Sequence, residues 1–210
     1  MSRRNENRPG YKKTEVGWIP GEWECRRLRD LCIGLGQYGA CVPAIPYLRD
    51  APRYIRITDI TDDGELLEEN KVSIPPESAG KYLLTFGDFL FARTGATVGK
   101  TYLHDKDSGW YAFAGYLIRF IPDEKLLLRL FLKAYTHTDK YYYWVKTTLH
   151  AGAQPNINAS EYGSLLLPLP PLREQKEIAE ILFTWDEAIE QTRKLIDAKK
   201  HCKKALMQQL

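Results

Sequence analysis

At 210 residues the chain can bury a core in one or two domains, and its 44% hydrophobic content is that of an ordinary globular protein. A net charge of +3 selects no partner by itself. No apolar run approaches the roughly 20 residues that span a bilayer, and four cysteines without a C-x-x-C spacing read as reduced thiols of a cytoplasmic protein, not as a zinc or redox site.

In chain order, the polar opening MSRRNENRPG reads as a frayed tail and not as a signal peptide. Pro20-Gly21 marks a turn, with Trp18 and Trp23 placed to pin it to a core. RRLRDLC (26–32) fits either a strand or a short helix, and the Gly- and Pro-rich residues 34–52 read as loop. YIRITDI (54–60) alternates β-branched residues and predicts a strand. Asp62-Asp63-Gly64 is a turn, and SIPPESAGKYLL starts irregular, with room for a short helix. Phe86–Ala92 and the stretch after Lys100 predict two strands of a hairpin, and GYLIRFIP (115–122) another strand, stopped by Pro122. Asp123 is placed to cap one helix running through LLLRLFLKAYTHTDKYYYWV. TTLHAGAQPNINASEYGSLLLPLP then predicts loop, a short apolar strand and proline.

The pattern changes at Pro171. From Leu172 to Leu210 there is no Gly and no Pro, and apolar residues recur at three- and four-residue steps. Ile178, Ile181, Leu182, Trp185, Ile189, Leu195 and Leu206 lie on the two overlapping seams of one apolar face. A helix of that extent reaches about 58 Å, beyond the width of a domain this size. Part of the face should therefore want a second helix, and the competing expectation is a helix folded back on its own domain. The fold class expected is α+β: a mixed or antiparallel sheet domain over residues 1–170, then one long helix over 171–210.

Charge is unevenly spread. Residues 1–56 carry 11 Lys/Arg against 6 Asp/Glu, residues 57–92 carry 2 against 8, and residues 93–150 carry 9 against 5. Two basic segments round an acidic one allow a single positive face, with a solvated mixed surface as the plain alternative.

Three stretches imitate known sites. TGATVGKT (94–101) resembles a phosphate loop, but its first glycine, Gly95, stands one residue late and a strand, not a helix, is predicted after it. Gly34, Gly36 and Gly39 match G-x-G-x-x-G, yet Pro43 and Pro46 forbid the helix such a site needs. Pro122-Asp123 with Glu174-Gln175-Lys176 imitates a metal nuclease, with its second half on the long helix. No N-P-P-Y or D-P-P-Y methyltransferase motif, no nucleophile elbow and no metal-ligand spacing occurs, so no catalytic residues, cofactor or metal are expected on this chain.

TEVGWIPGEWE, YIRITDI, GDFLFARTGATVGK, AGAQPNINASEYGSLLLPLPPLREQKEIAEIL and KKALMQQL occur in this order. Together they resemble one half of the specificity subunit of type I restriction-modification enzymes, over nearly the whole chain. The resemblance implies a target-recognition domain that reads part of a split duplex-DNA target, followed by a long helix. In the usual subunit two such units stand in tandem, and their helices pack as an antiparallel coiled coil. One unit alone implies either a half-subunit that pairs with a second copy or a shortened form. Its partners would be the methylation subunit, which binds S-adenosylmethionine, and the restriction subunit, which uses ATP and Mg²⁺. On this reading the Arg93–Lys100 loop meets DNA. Lys100 binds a phosphate, and Arg93 takes either a guanine edge or a phosphate, with Thr94 between them. Arg53 and Arg56 could join the same face. Gln37, Tyr38, Thr147, Thr148 and Gln154 are further candidates because they are expected in glycine-bearing or polar loops. AGAQPNI serves either that contact or the folding of the loop. The alternative function is a structural or regulatory protein that joins a partner through the helix and reads no DNA, and a nucleotide-hydrolysing enzyme rests on the imperfect loop alone.

Overall fold

The computed structural model describes residues 8–149 and 155–208. A hairpin of β1 (Tyr11–Thr14) and β2 (Gly17–Pro20) leads into β3 (Glu24–Arg27). Short strands β4 (Gln37–Tyr38), β5 (Ile45–Pro46), β6 (Arg53–Ile55) and β7 (Val72–Ser73) follow, then the single-turn helix α1 (Pro76–Ala79). Next come β8 (Phe89–Ala92), β9 (Thr101–Leu103), β10 (Tyr111–Phe113) and β11 (Leu117–Phe120). Helices α2 (Arg129–Tyr135), α3 (Asp139–Thr148) and α4 (Ala159–Gly163), strand β12 (Leu166–Leu169) and the long helix α5 (Leu172–Met207) complete the chain. The class is α+β, as the patterning predicts. No helix of the described residues is long and apolar enough to cross a membrane.

The central sheet has the order β4-β11-β8-β9 and is antiparallel throughout. It is buried on both faces, which is why FLFA (89–92) is apolar at every position and does not alternate. Phe89 and Phe91 enter the larger core with Ile118 and Phe120, the residues opposite them on β11. Helices α2, α3 and α4 close that side with Leu132, Tyr141 and Tyr162. Leu90, Ala92 and Leu117 point the other way, into a smaller core with Ile55 and Phe113. That side carries the second four-stranded sheet, β10-β6-β7-β5, in which only β10 and β6 run parallel.

Several elements differ from the sequence expectation. RRLRDLC is both of its alternatives in turn, the end of β3 and then a 3-10 turn over Leu28–Leu31. YIRITDI is a strand only to Ile55, because Arg56 and Asp59 close a capping box round a 3-10 turn at Ile57–Asp59. The helix expected to run on from Asp123 is two helices. Asp123 turns back to accept from the Lys125 amide at 3.0 Å, and α2 begins only at Arg129. The break before α3 falls at Thr136–Thr138. There the Thr136 hydroxyl is held against that of Thr101 at 3.0 Å, and the Thr138 side chain caps α3 by accepting from the Tyr141 amide. Helix α4 lies in a stretch expected to be loop, although its Asn158-x-x-Glu161 capping box is a readable start signal.

Helix α5 is anchored by its first two turns. Gln175, almost fully buried, accepts from the Leu128 amide at 2.9 Å, and its Nε2 donates to the Leu126 and Pro170 carbonyls at 3.0 and 2.9 Å. One side chain thus ties the root of α5 to the start of α2. Glu174 accepts from the Trp23 indole at 2.9 Å, so Trp23 pins to the helix while Ile19 supplies the buried apolar group of the first hairpin. Ala179 and Ile178 complete the root. From Glu180 to Gln208 every residue is exposed. A further contact with the globular part is Arg193 Nη1 to Asp63 Oδ2 at 3.5 Å. The helix is therefore not folded back as a packed layer, and its apolar seam lies bare.

Replacing Gln175 with Leu keeps the volume but orphans a buried amide and two carbonyls. The free energy of unfolding should fall by about 2–4 kcal/mol, measured by urea titration, and an unchanged midpoint would show that Gln175 is not the anchor.

Candidate nucleic-acid interface

The β8–β9 connection, Arg93–Lys100, is a hairpin loop followed by a strand, so the phosphate-loop resemblance has no helix behind it. The loop tightens round a 3-10 turn at Gly95–Thr97, with Gly95 at φ +72° and Gly99 at φ +89°. Gly99 is doubly constrained, since a Cβ there would stand 3.0 Å from a Val145 methyl on α3. Tyr141, fully buried, donates its hydroxyl to the Gly99 carbonyl at 2.8 Å, and burial holds its phenol well above the ordinary pKa. A second segment lies along the loop. Ile157 N–H donates to the Arg93 carbonyl at 2.9 Å, and Gly95 N–H to the Pro155 carbonyl at 3.2 Å. The last residues of AGAQPNI thus help to build the loop.

The candidate residues divide by what they already hold. Arg93 is half-buried. Its Nε donates to Asn156 Oδ1 at 3.1 Å, and its guanidinium carbon lies 4.8 Å from the centre of the exposed Tyr38 ring. Tyr38, on edge strand β4, accepts from the Ala159 amide at 3.0 Å. Lys100 pairs with Asp62 at 2.9 Å and donates to the Ile60 carbonyl at 3.2 Å. Thr94 is buried within the loop. Tyr38, Arg93 and Asn156 therefore meet at one end of the loop, while Lys100 is tethered at the other.

The remaining candidates are occupied or placed elsewhere. Arg53 is buried in β6, with Nη1 on Glu68 at 2.8 Å and Nη2 on the Leu67 carbonyl. The Lys71 ammonium and Arg53 together push the Glu68 carboxyl down to about 2. Arg56 forks Asp59 at 2.8 and 3.1 Å and reaches the Asn70 carbonyl at 3.0 Å. Both arginines are structural ties of the 53–70 segment, not free additions to the loop. Gln37 faces inward and accepts from Arg119. Thr147 and Thr148 stand at the end of α3, not in a loop, and the Thr147 hydroxyl is turned onto the Tyr143 and Trp144 carbonyls. Gln154 lies outside the described residues.

The acidic segment 57–92 explains this occupancy. Asp59, Asp62, Glu65, Glu68 and Asp88 pair with Arg56, Lys100, Lys133, Arg53 and Arg119. All five cations come from the two flanking basic segments, so part of the expected positive face is neutralised within the fold. The nuclease imitation dissolves similarly, since Asp123 serves its own turn and Glu174 serves Trp23. Two important residues were not singled out by sequence reasoning. Asn156 lay within a stretch whose role was left open. Arg119, on β11, reaches Asp88 at 2.9 Å and the Leu83 carbonyl at 2.8 Å, and nothing but its charge in an apolar strand marked it.

Residues 20–198 match the family described as the type I restriction modification DNA specificity domain. The chain belongs to this family. Proteins named as specificity subunits of the MjaX and MjaVIII type I restriction enzymes of Methanocaldococcus jannaschii are 29% and 28% identical to it. Those alignments cover 95% and 94% of this chain and 48% and 47% of the relatives. The chain thus spans about half the length of the curated relatives it matches. Among solved structures, the HsdS subunit from Thermoanaerobacter tengcongensis superposes with a TM-score of 0.62 at 18% identity, over 84% of this chain and 45% of that one. A chain from a type I R-M system gives a TM-score of 0.64 at the same identity. These two likenesses are of fold.

Within the specificity family, α5 is the second candidate surface. Ile178 belongs to its root and packs against the core of its own domain, contrary to its expected place on the free seam. Ile181, Leu182, Trp185, Ile189, Leu195 and Leu206 are all exposed along the rod, Trp185 by 65%.

The loop geometry separates two substitutions. Gly95→Ala has open space round its Cβ and should cost about 1 kcal/mol for its positive φ alone. Gly99→Ala adds the Val145 clash and should cost about 2–3 kcal/mol in thermal or urea unfolding. Equal costs would refute the packing of this loop on α3.

Proposed function

We propose that this chain is the sequence-reading part of a type I restriction-modification system and carries no catalysis of its own. Residues 1–170 act as the target-recognition unit, and residues 171–210 form the spacer and docking helix. Its partners are duplex DNA, a methylation subunit that binds S-adenosylmethionine and a restriction subunit that uses ATP with Mg²⁺, all in the cytoplasm. The observation that carries this reading is the bare seam of α5, rooted by Gln175 on a head of the specificity family. A helix that leaves its own head after Ala179 can set a distance only if something packs on it.

Charge favours a second copy of this chain in antiparallel array. Residues 172–190 carry six Asp/Glu against two Lys/Arg, and residues 191–208 carry six Lys/Arg against one Asp. Two parallel copies would face like charge along their whole length, whereas antiparallel copies set each acidic half against a basic one. Two-fold symmetry of such a pair then requires a palindromic split target.

Two outcomes follow. In sedimentation, the dimer should weaken more than tenfold between 50 and 500 mM NaCl and in a Lys199→Glu/Lys203→Glu variant, since both remove the same complementarity. A salt-independent monomer at micromolar concentration would remove the homodimer. In a host that also carries the methylation subunit, methylome sequencing should return a split palindrome. Seven residues inserted in frame near position 190 lengthen the rod by about 10 Å, so the spacer should grow by about three base pairs with both half-targets unchanged. An asymmetric or continuous motif would overturn the symmetric reading, and no motif at all would favour a helix-joining protein that reads no DNA.

A further inference from the structure

Arg93 differs from the paired arginines in what its guanidinium is left to do. Among the described residues, Arg29, Arg53, Arg56, Arg119, Arg129, Arg173 and Arg193 pair with carboxylates, whereas Arg93, like Arg8, Arg26, Arg27 and Arg49, pairs with none. Its Nε is nonetheless fixed, by the 3.1 Å bond to Asn156 Oδ1. Its planar group is held 4.8 Å from the centre of the Tyr38 ring, and Tyr38 is itself fixed by the Ala159 amide at 3.0 Å. The main chain is held on both sides, with the Arg93 amide on the Tyr116 carbonyl at 3.0 Å and the Arg93 carbonyl on the Ile157 amide at 2.9 Å. The two terminal nitrogens have no protein acceptor among the described residues.

A guanidinium so arranged has already lost most of its rotamer freedom, while the edge that forks a pair of acceptors stays open. Structural arginines in this fold show the opposite pattern, with terminal nitrogens on Glu68, Asp59 or Asp88. Lys100, at the far end of the same loop, must exchange Asp62 for any new anion. Arg93 exchanges nothing.

Resting on the DNA-reading function above, we propose that Arg93 is a preset fork for two adjacent acceptors on duplex DNA, and that Tyr38 and Asn156 are its positioning residues. The acceptors are either the two free oxygens of one phosphate or O6 and N7 of one guanine, each of which a guanidinium fork can bind with two parallel hydrogen bonds. Asn156 supplies the acceptor that sets the direction of Nε, and the Tyr38 ring sets the plane. Neither needs to touch DNA.

The test uses the full chain assembled with its methylation subunit. Fluorescence anisotropy is read on two 40-base-pair duplexes, one with the methylome-defined target and one scrambled. Arg93→Lys keeps the charge but loses the fork, and should weaken target binding about tenfold or more. Tyr38→Leu and Asn156→Ala should each cost three- to tenfold in the native background and little in an Arg93→Ala background, while Tyr38→Phe, which keeps the ring but loses the Ala159 bond, should cost less than Tyr38→Leu. Thermal melts check folding, and the Lys and Phe variants carry the comparison if the harsher ones fail to fold. For Arg93→Ala, equal loss on both duplexes, with the salt slope reduced by about one, assigns a phosphate. Loss on the target alone, with one base position relaxed, assigns a guanine. Native-like binding by Arg93→Lys, or costs of Tyr38→Leu and Asn156→Ala that persist without Arg93, would overturn the proposal. Failure of the unmodified assembly to prefer its target would overturn the DNA-reading function itself.

Discussion

The constraint on which the rest depends is the burial of Gln175. A polar side chain in an apolar junction is stable there only if its amide is satisfied, and both ends of this one are. The same three bonds fix where α2 starts and where α5 leaves. The α2–α3 pair backs the core face of the central sheet, and the Arg93–Lys100 loop joins two strands of that sheet. A shift at Gln175 would therefore move the rod and the loop relative to each other. An apolar residue there could glue the two helices together, but it would leave their angle loosely defined.

The second principle is that charge inside the head is paired before it is offered. The acidic stretch from Asp59 to Asp88 meets arginines and lysines from both sides of it in sequence. Asp88 and Arg119 carry this furthest, for their ion pair is buried to the point where Asp88 Oδ1 and Arg119 Nε find no partner among the described residues. A buried pair of this kind adds little net stability against an apolar replacement, but it strongly disfavours any arrangement that separates its members. It ties β11 to the β8 approach and so holds those two strands in register. Against this background Arg93 stands apart in having its Nε and plane fixed by Asn156 and Tyr38 while no carboxylate takes its terminal nitrogens.

What could be read from the sequence follows from where the information is local. Helix α5 was legible because its spacing repeats over many turns without Gly or Pro, and the β8–β9 hairpin because apolar strands flank a glycine-bearing loop. Elements set by a single side chain were harder. The Thr138 cap split one expected helix in two, and the Arg56–Asp59 box cut YIRITDI short. The candidate site was legible only in part. Arg93 and Lys100 do stand on one loop with Tyr38 of the edge strand β4 against Arg93, but Arg53, Arg56 and Gln37 are bound to residues between 14 and 82 positions away or to their own turn. Composition marks a residue as cationic. Only the fold reveals whether an acid from elsewhere has already taken it, and no pattern along the chain points from Arg53 to Glu68.

The rod and the head impose opposite demands on the same chemistry. A head of roughly 165 residues is about 40 Å across, while the 36 residues of α5 extend about 54 Å. Folding the helix back could cover only part of its seam. Asp63, which Arg193 reaches at 3.5 Å, is an exposed carboxylate on a turn and makes a weak contact of the surface kind. The rod thus has no strong partner on its own head. A second helix of the same sequence, reversed, offers what the head does not: an apolar seam of equal length and an acidic half opposite each basic one. On the proposed pairing, the polarity of the helix is what suits it to its own copy.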